Sequence, residues 1–284
     1  MSLDCFRRGC VLPYGRALRL ACTTAFALVG LAAVTSAQTS APAQPQKTQP
    51  DTAAKAPAST ALPSARSILD RHLAAIGGRA AVLSHSSTSA KGTLAMPKAG
   101  MTGNLEIYGA KPNKSVVKIT LAGVGVVTEG FDGVHAWSVS PMTGPMLLDG
   151  KQLEEKKFDS DFHSELRDDS RYSSIKTLEQ TDFEGRACYK VQLVRKTGGT
   201  DIEFYDVATG LKAGSMTSRE THMDTVSGTT VESDYRKFGN LLQPTTIRSQ
   251  ISGVEQVITI TSVEYDTVPP SAFDLPVEIK ALVK

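Results

Sequence analysis

Cysteine is nearly missing from this 284-residue chain: Cys5, Cys10 and Cys22 fall at its start and only Cys188 lies beyond them. No intramolecular disulfide can staple the remainder, which must stand on its core alone. Aromatic residues are scarce at 6%, with one tryptophan, Trp137. Lysines and arginines do not cluster on strands among aromatics, so the stacking of oligonucleotide bases has no support. Charge of one sign is also lacking, with 31 Lys and Arg against 29 Asp and Glu. Arg7, Arg8, Arg16 and Arg19 precede residue 20 with only Asp4 against them, so the rest is close to neutral and does not read as a polyanion binder. The single long uncharged run, Leu20–Val34, argues against a multispanning membrane protein, and 40% hydrophobic residues argue against wholesale disorder.

The familiar motifs of chemistry are absent as well. No Gly-x-Ser-x-Gly elbow occurs. Gly144 to Lys151 has one residue too many between its glycines for a phosphate loop, and Gln152 stands where Ser or Thr is needed. Gly123-Val124-Gly125 has no helix after it. His72, His85, His135, His163 and His222 are scattered, with no His-x-x-x-His or Cys-x-x-Cys pair to hold a metal. Asp159 to Glu165 alternates acids like a calcium loop but lacks the turn glycine, and reads as a solvated helix face. Glu154-Glu155 and Asp168-Asp169 read as surface charge, and Cys188 as a small buried hydrophobe within a strand. The expectation is a protein without catalysis, metal or cofactor.

What is present begins with an address. Four arginines, an apolar stretch over Leu20–Val34 and small residues at Thr35-Ser36-Ala37 form a secretory signal, residues 1–37, cleaved near Ala37. A retained anchor is the alternative, although fifteen uncharged residues reach only about 22 Å as a helix against a hydrocarbon core of about 30 Å. Leu20-Ala21-Cys22 offers a lipidation reading. Residues 38–64, rich in Ala, Pro, Gln and Thr, bury too little to offset the entropy of ordering and read as a disordered linker. The expectation is an exported protein, peripheral to the membrane at most.

Residues 65–284 read as one folded domain. Ser64 can cap a helix in which Ile68, Leu69, His72, Leu73 and Ile76 recur at helical spacing before Gly77-Gly78. From Thr88 the period changes to two. Val117, Ile119 and Leu121 alternate with Lys118 and Thr120, and Tyr189, Val191 and Leu193 with Lys190 and Gln192. About a dozen strands joined by short Gly, Asn and Asp turns predict an antiparallel meander too long to stay flat. The fold class expected is mainly β with a few helices, a large curved sheet forming an open half-barrel under a helical lid. Its concave side should be wider than its own side chains can fill. Asp149–Asp168 interrupts the meander with a predicted helix. Asp149 would cap it, and Phe158, Phe162 and Leu166, four residues apart, would share one face. Met96, Met101, Met142 and Met146 add flexible apolar surface suited to varied guests. Trp137 has two readings: a residue at the cavity, or ordinary sheet core.

Several segments resemble a known superfamily. Phe131-Asp132-Gly133-Val134-His135-Ala136-Trp137 with Pro141, Gly185 to Val191 followed by Phe204 to Leu211, and Pro270-Ser271-Ala272-Phe273-Asp274-Leu275-Pro276 resemble, in order and spacing, the LolA-like, LolB-like and RseB-like periplasmic lipoprotein carriers. The resemblance implies an open β-barrel with a helical lid over a hydrophobic cavity. It implies a periplasmic location and binding of lipid or lipoprotein acyl chains, as a carrier or chaperone, or alternatively an envelope sensor that engages a protein partner. Cavity or lid candidates are Trp137, Met96, Met101, Phe158, Phe162 and Leu166. The lid arginine of the carriers matches no single position, and residues 38–64 depart from their compact pattern.

Overall fold

The computed structural model describes residues 61–220, 225–251 and 253–283. The leader and positions 38–60 of the expected linker lie outside the described residues. Helix α1 is Ala65–Ala75, and the Ser64 side chain caps it by accepting from the Ser67 amide at 3.1 Å. Its stripe of Ile68, Leu69, His72 and Leu73 is buried, as the spacing predicts. Gly77, at φ 130°, turns the chain into α2, Arg79–Ser84. A side chain there would strike the Asn240 carbonyl at 2.5 Å, so both backbone conformation and space demand glycine.

Six strands follow: β1 Ser87–Met96, β2 Met101–Ala110, β3 Lys114–Leu121, β4 Gly125–Phe131, β5 Ala136–Ser140 and β6 Gly144–Leu148. Helix α3, Gly150–Asp159, is inserted next. Seven more strands complete the meander: β7 Tyr172–Phe183, β8 Arg186–Arg195, β9 Thr200–Asp206, β10 Lys212–Glu220, β11 Thr225–Phe238, β12 Leu241–Ile251 and β13 Val254–Tyr265. A short helix α4, Val277–Lys280, ends the fold. All thirteen strands form one antiparallel sheet in the order β6 to β1, then β13 to β7. Only the β1–β13 junction joins strands that are not neighbours in sequence. β6 escapes the sequence pattern because it alternates poorly and contains Pro145, which an edge position tolerates. The opposite edge, β7, carries two bulges that blunt it against further pairing.

The sheet is strongly bent and does not close. Nine strand intervals separate β4 from β8, which would span about 43 Å if flat. Yet Lys156 of α3 pairs with Glu129 of β4 while the adjacent Glu155 pairs with Arg195 of β8. One ten-residue helix touches both arms, so the sheet wraps around it.

The register assigns the two faces. Ile107 opposes Val117, which opposes Glu129; these share the concave side with α3. Tyr108, Val116, Gly130 and Trp137 share the convex side. The concave core of Leu94, Leu105, Ile119, Ile258 and their neighbours is apolar and buried. On the convex side, Val116 and Trp137 are covered by Phe273 and Ile279 of the C-terminal segment. No helix among the described residues is long and apolar enough to cross a membrane.

Candidate functional site

The insert departs from its expected form. Helix α3 stops at Asp159, and a turn and a 3-10 segment, Ser164–Leu166, follow. Phe158, Phe162 and Leu166 therefore do not share a helical face. Asp149 caps with its backbone: its carbonyl accepts from the Gln152 and Leu153 amides, and its side chain makes no cap bond. The charged side of the insert is not solvated either. Glu155, Lys156 and Asp159 are buried. Charges this deep need partners, and strands distant in sequence supply them.

Two ionic clusters result. Arg195 of β8 donates from Nη1 to Glu155 at 2.8 Å and, through Nε and Nη2, grips both oxygens of Asp201 at 2.8 and 2.9 Å. Asp159 lies 3.6 Å from the same guanidinium. Arg167, held at φ 48° after the 3-10 segment, donates to Glu165 at 3.0 Å and to Glu203 of β9 at 3.4 Å. His72 of α1 faces Glu165 with Nε2 at 3.3 Å and the Gly210 carbonyl with Nδ1 at 3.2 Å. Both neighbours accept, so both bonds are made only when the ring carries two protons. Burial opposes ionisation of Glu165, but the charges of Arg167, His72 and Lys212 outweigh it and hold the carboxyl well below its usual range. Lys212 of β10 pairs with Glu232 of β11, beneath the Tyr235 hydroxyl.

Beside these clusters, under α1, α2 and the insert, lies a cavity of about 100 Å³. Its apolar lining comes from Ile76 at the C-cap of α1, Val82 of α2, Ala90 and Ile107 of the central strands, and Leu241, Ile247 and Ile260 of the returning strands. His85 and Tyr265 stack at its rim, 4.1 Å between ring centroids, where Asp266 and Asn240 hold the imidazole at 2.8 and 2.6 Å. The carboxylates on the lining are satisfied elsewhere: Asp159 by Arg195, Asp161 by Arg171, and Glu165 by Arg167; Lys114 of β3 also borders the space. The space suits an uncharged apolar group. It is smaller than sheet curvature alone predicts, because the insert descends into the trough and the apolar side chains of β1–β3 and β13 meet one another at its far end.

The candidate residues separate accordingly. Phe162 lines the cavity. Met96 and Met101 pack at the far end of the concave core. Phe158 sits between the guanidinium groups of Arg171 and Arg195, 4.0 and 4.5 Å from its ring centroid. Leu166 packs against the cluster formed by Leu73, Ile76, Val82 and Leu241. Trp137 lies on the convex face, away from the cavity, at 1% exposure. His135 binds its own turn carboxylate, Asp132, at 3.1 Å. His222 lies outside the described residues. Sequence reasoning missed the buried ions Arg167, Arg195, Glu203, Lys212 and Glu232. The one signal for them was a charge on the inward parity of a strand: Arg195 follows Tyr189, Val191 and Leu193 in β8. Among the described residues, no three potential metal ligands converge.

No family model matches the sequence, and no curated protein sequence matches it significantly. Solved structures do. A LolA superfamily protein from Nitrosomonas europaea superposes with a TM-score of 0.52 at 15% identity, over 75% of this chain and 99% of that one. A DUF1329 family protein from Desulfovibrio piger superposes with a TM-score of 0.51 at 13% identity, over 74% of this chain and 97% of that one. At such identities the likeness is one of fold, and the bent open sheet with helices in its trough is the architecture that the motifs of the LolA-like superfamily imply.

Proposed function

We propose that this chain is an exported envelope protein that binds lipid or lipoprotein acyl chains between the sheet and the helices, as a carrier or chaperone and not as an enzyme. The observation that carries the reading is the cavity beneath α1, α2 and the insert. Its walls are mainly apolar, and the carboxylates on its border are already paired. Such a space rewards methylene groups and leaves no free carboxylate for a cationic guest. The secretory leader supports delivery to the compartment where such guests occur.

The test is direct. Protein isolated from its own envelope and extracted for mass spectrometry is expected to release a lipid in near-stoichiometric amount. The delipidated protein is expected to take up a dansyl fatty acid saturably. An empty cavity, no saturable uptake and one stoichiometric protein partner would replace the carrier reading with that of an envelope interaction module.

A further inference from the structure

The cavity is much smaller than the roughly 300–1,000 Å³ of ordinary ligand sites. The chain itself occupies part of the missing space. Phe162 leaves the helical register where α3 ends and turns its ring into the trough. Opposite it stands Gly109 of β2, where a Cβ would come within 3.6 Å of Phe162 Cδ2. The Phe162 amide donates to the Pro112 carbonyl at 3.0 Å, a single backbone bond outside any ladder. Otherwise the insert is held by side-chain contacts. The Ser160 and Ser115 hydroxyls lie 2.6 Å apart, and the ion pairs reach Glu129, Arg195, His72 and Glu203.

We infer that Phe162 is a displaceable plug: in the closed protein its ring takes the place that an apolar guest occupies when the insert lifts. The fastenings suit reversal. A buried ion pair gains little over its hydrated partners, because desolvation cancels most of the attraction. Lifting the insert returns those ions to water and exposes few aliphatic side chains, whereas prising apart the apolar core beneath would have no such compensation. The ring stands within van der Waals reach of the β2 backbone at Gly109, close against the floor of the trough. The inference rests on the carrier reading for the nature of the natural guest, but not for the place of the ring.

The experiment uses the full chain with Cys5, Cys10 and Cys22 replaced by Ser, and N-phenylnaphthylamine as the probe. Phe162→Ala is expected to bind it at least ten-fold more tightly than the parent. Ser115→Cys/Ser160→Cys, which keeps Phe162 and staples the insert to β3, is expected to lose probe uptake at least ten-fold when oxidised and to regain it on reduction. Equal uptake by the oxidised and reduced forms overturns the plug, as does a folded Phe162→Ala protein with parental affinity. If Phe162→Ala does not fold, the stapled pair decides alone. A parent that refuses a dansyl fatty acid while Phe162→Ala gains the naphthylamine leaves the plug standing and removes the carrier reading.

Discussion

At the scale of single residues, burial has opposite consequences for different groups. Cys188 is wholly enclosed beside Phe183 and Phe204 on the convex face. Burial raises its thiol to about 11, with Asp206 and Asp182 adding to the effect and Arg186 opposing it. At neutral pH almost no thiolate exists there. Iodoacetamide should leave Cys188 unmodified in the folded protein and alkylate it fully in denaturant, read by peptide mass spectrometry; labelling at equal rates in both would contradict this. Glu165 behaves in the reverse sense. Its carboxyl is held down by Arg167, His72 and Lys212 against the cost of burial. A depressed carboxyl contributes stability above its unfolded value of about 4.3 and loses it as pH falls. Glu165→Gln should therefore cost about 3 kcal/mol at pH 7. The deficit should shrink on acidification below about pH 4, measured as Tm against pH. Gly130 is constrained by space: a Cβ would lie 2.1 Å from Cζ2 of the buried Trp137 ring. Gly130→Ala should cost about 3 kcal/mol in urea unfolding, and a neutral result would mean the indole can move.

At the scale of elements, regular strands were legible in the sequence and the insert was not. β3 and β8 show their faces through strict alternation, and the structure buries Val117, Ile119, Val191 and Leu193 accordingly. Periodicity locates α3 but cannot say which of its charges find partners. Glu155 meets Arg195, forty residues later in the chain, only because the sheet bends. The bend adds Glu155 and Asp159 to the Asp201 of the neighbouring strand, so that Arg195 becomes a hub for all three. Arg195→Met leaves carboxylates buried without their main cation and should cost about 3–5 kcal/mol. The damage should be local. Amides of residues 150–167 are expected to exchange at least ten-fold faster by mass spectrometry, while those of β1–β3 remain protected by the apolar core. Uniform acceleration across the sheet would show that the ionic hub supports the whole fold and not the insert alone.

At the scale of the molecule, the C-terminal segment turns a bent sheet into a two-sided one. It leaves β13 at the middle of the strand order, crosses the convex face and ends against the β6 edge, burying Phe273 and Ile279 beside Trp137. A single-sequence reading finds Trp137 on a strand but not this cover, which arrives from about 135 residues away; position relative to the cavity therefore stayed open until the register was known. The strap ties the short outer strands β5 and β6 to the centre, and without it their apolar outer side would face water. Phe273→Ala removes its main anchor and should cost about 3–5 kcal/mol locally. Trp137 is the chain's only tryptophan, so its emission reports this region alone, whereas far-UV circular dichroism reports the entire sheet. In the parent, the two urea transitions are expected to coincide, because the strap makes edge and centre one cooperative unit. In Phe273→Ala the emission should shift red at lower urea than the dichroism is lost. Coincident transitions in the variant would mean that the hydrogen-bonded ladder alone binds β5 and β6 to the sheet, and that the strap is a passenger on it.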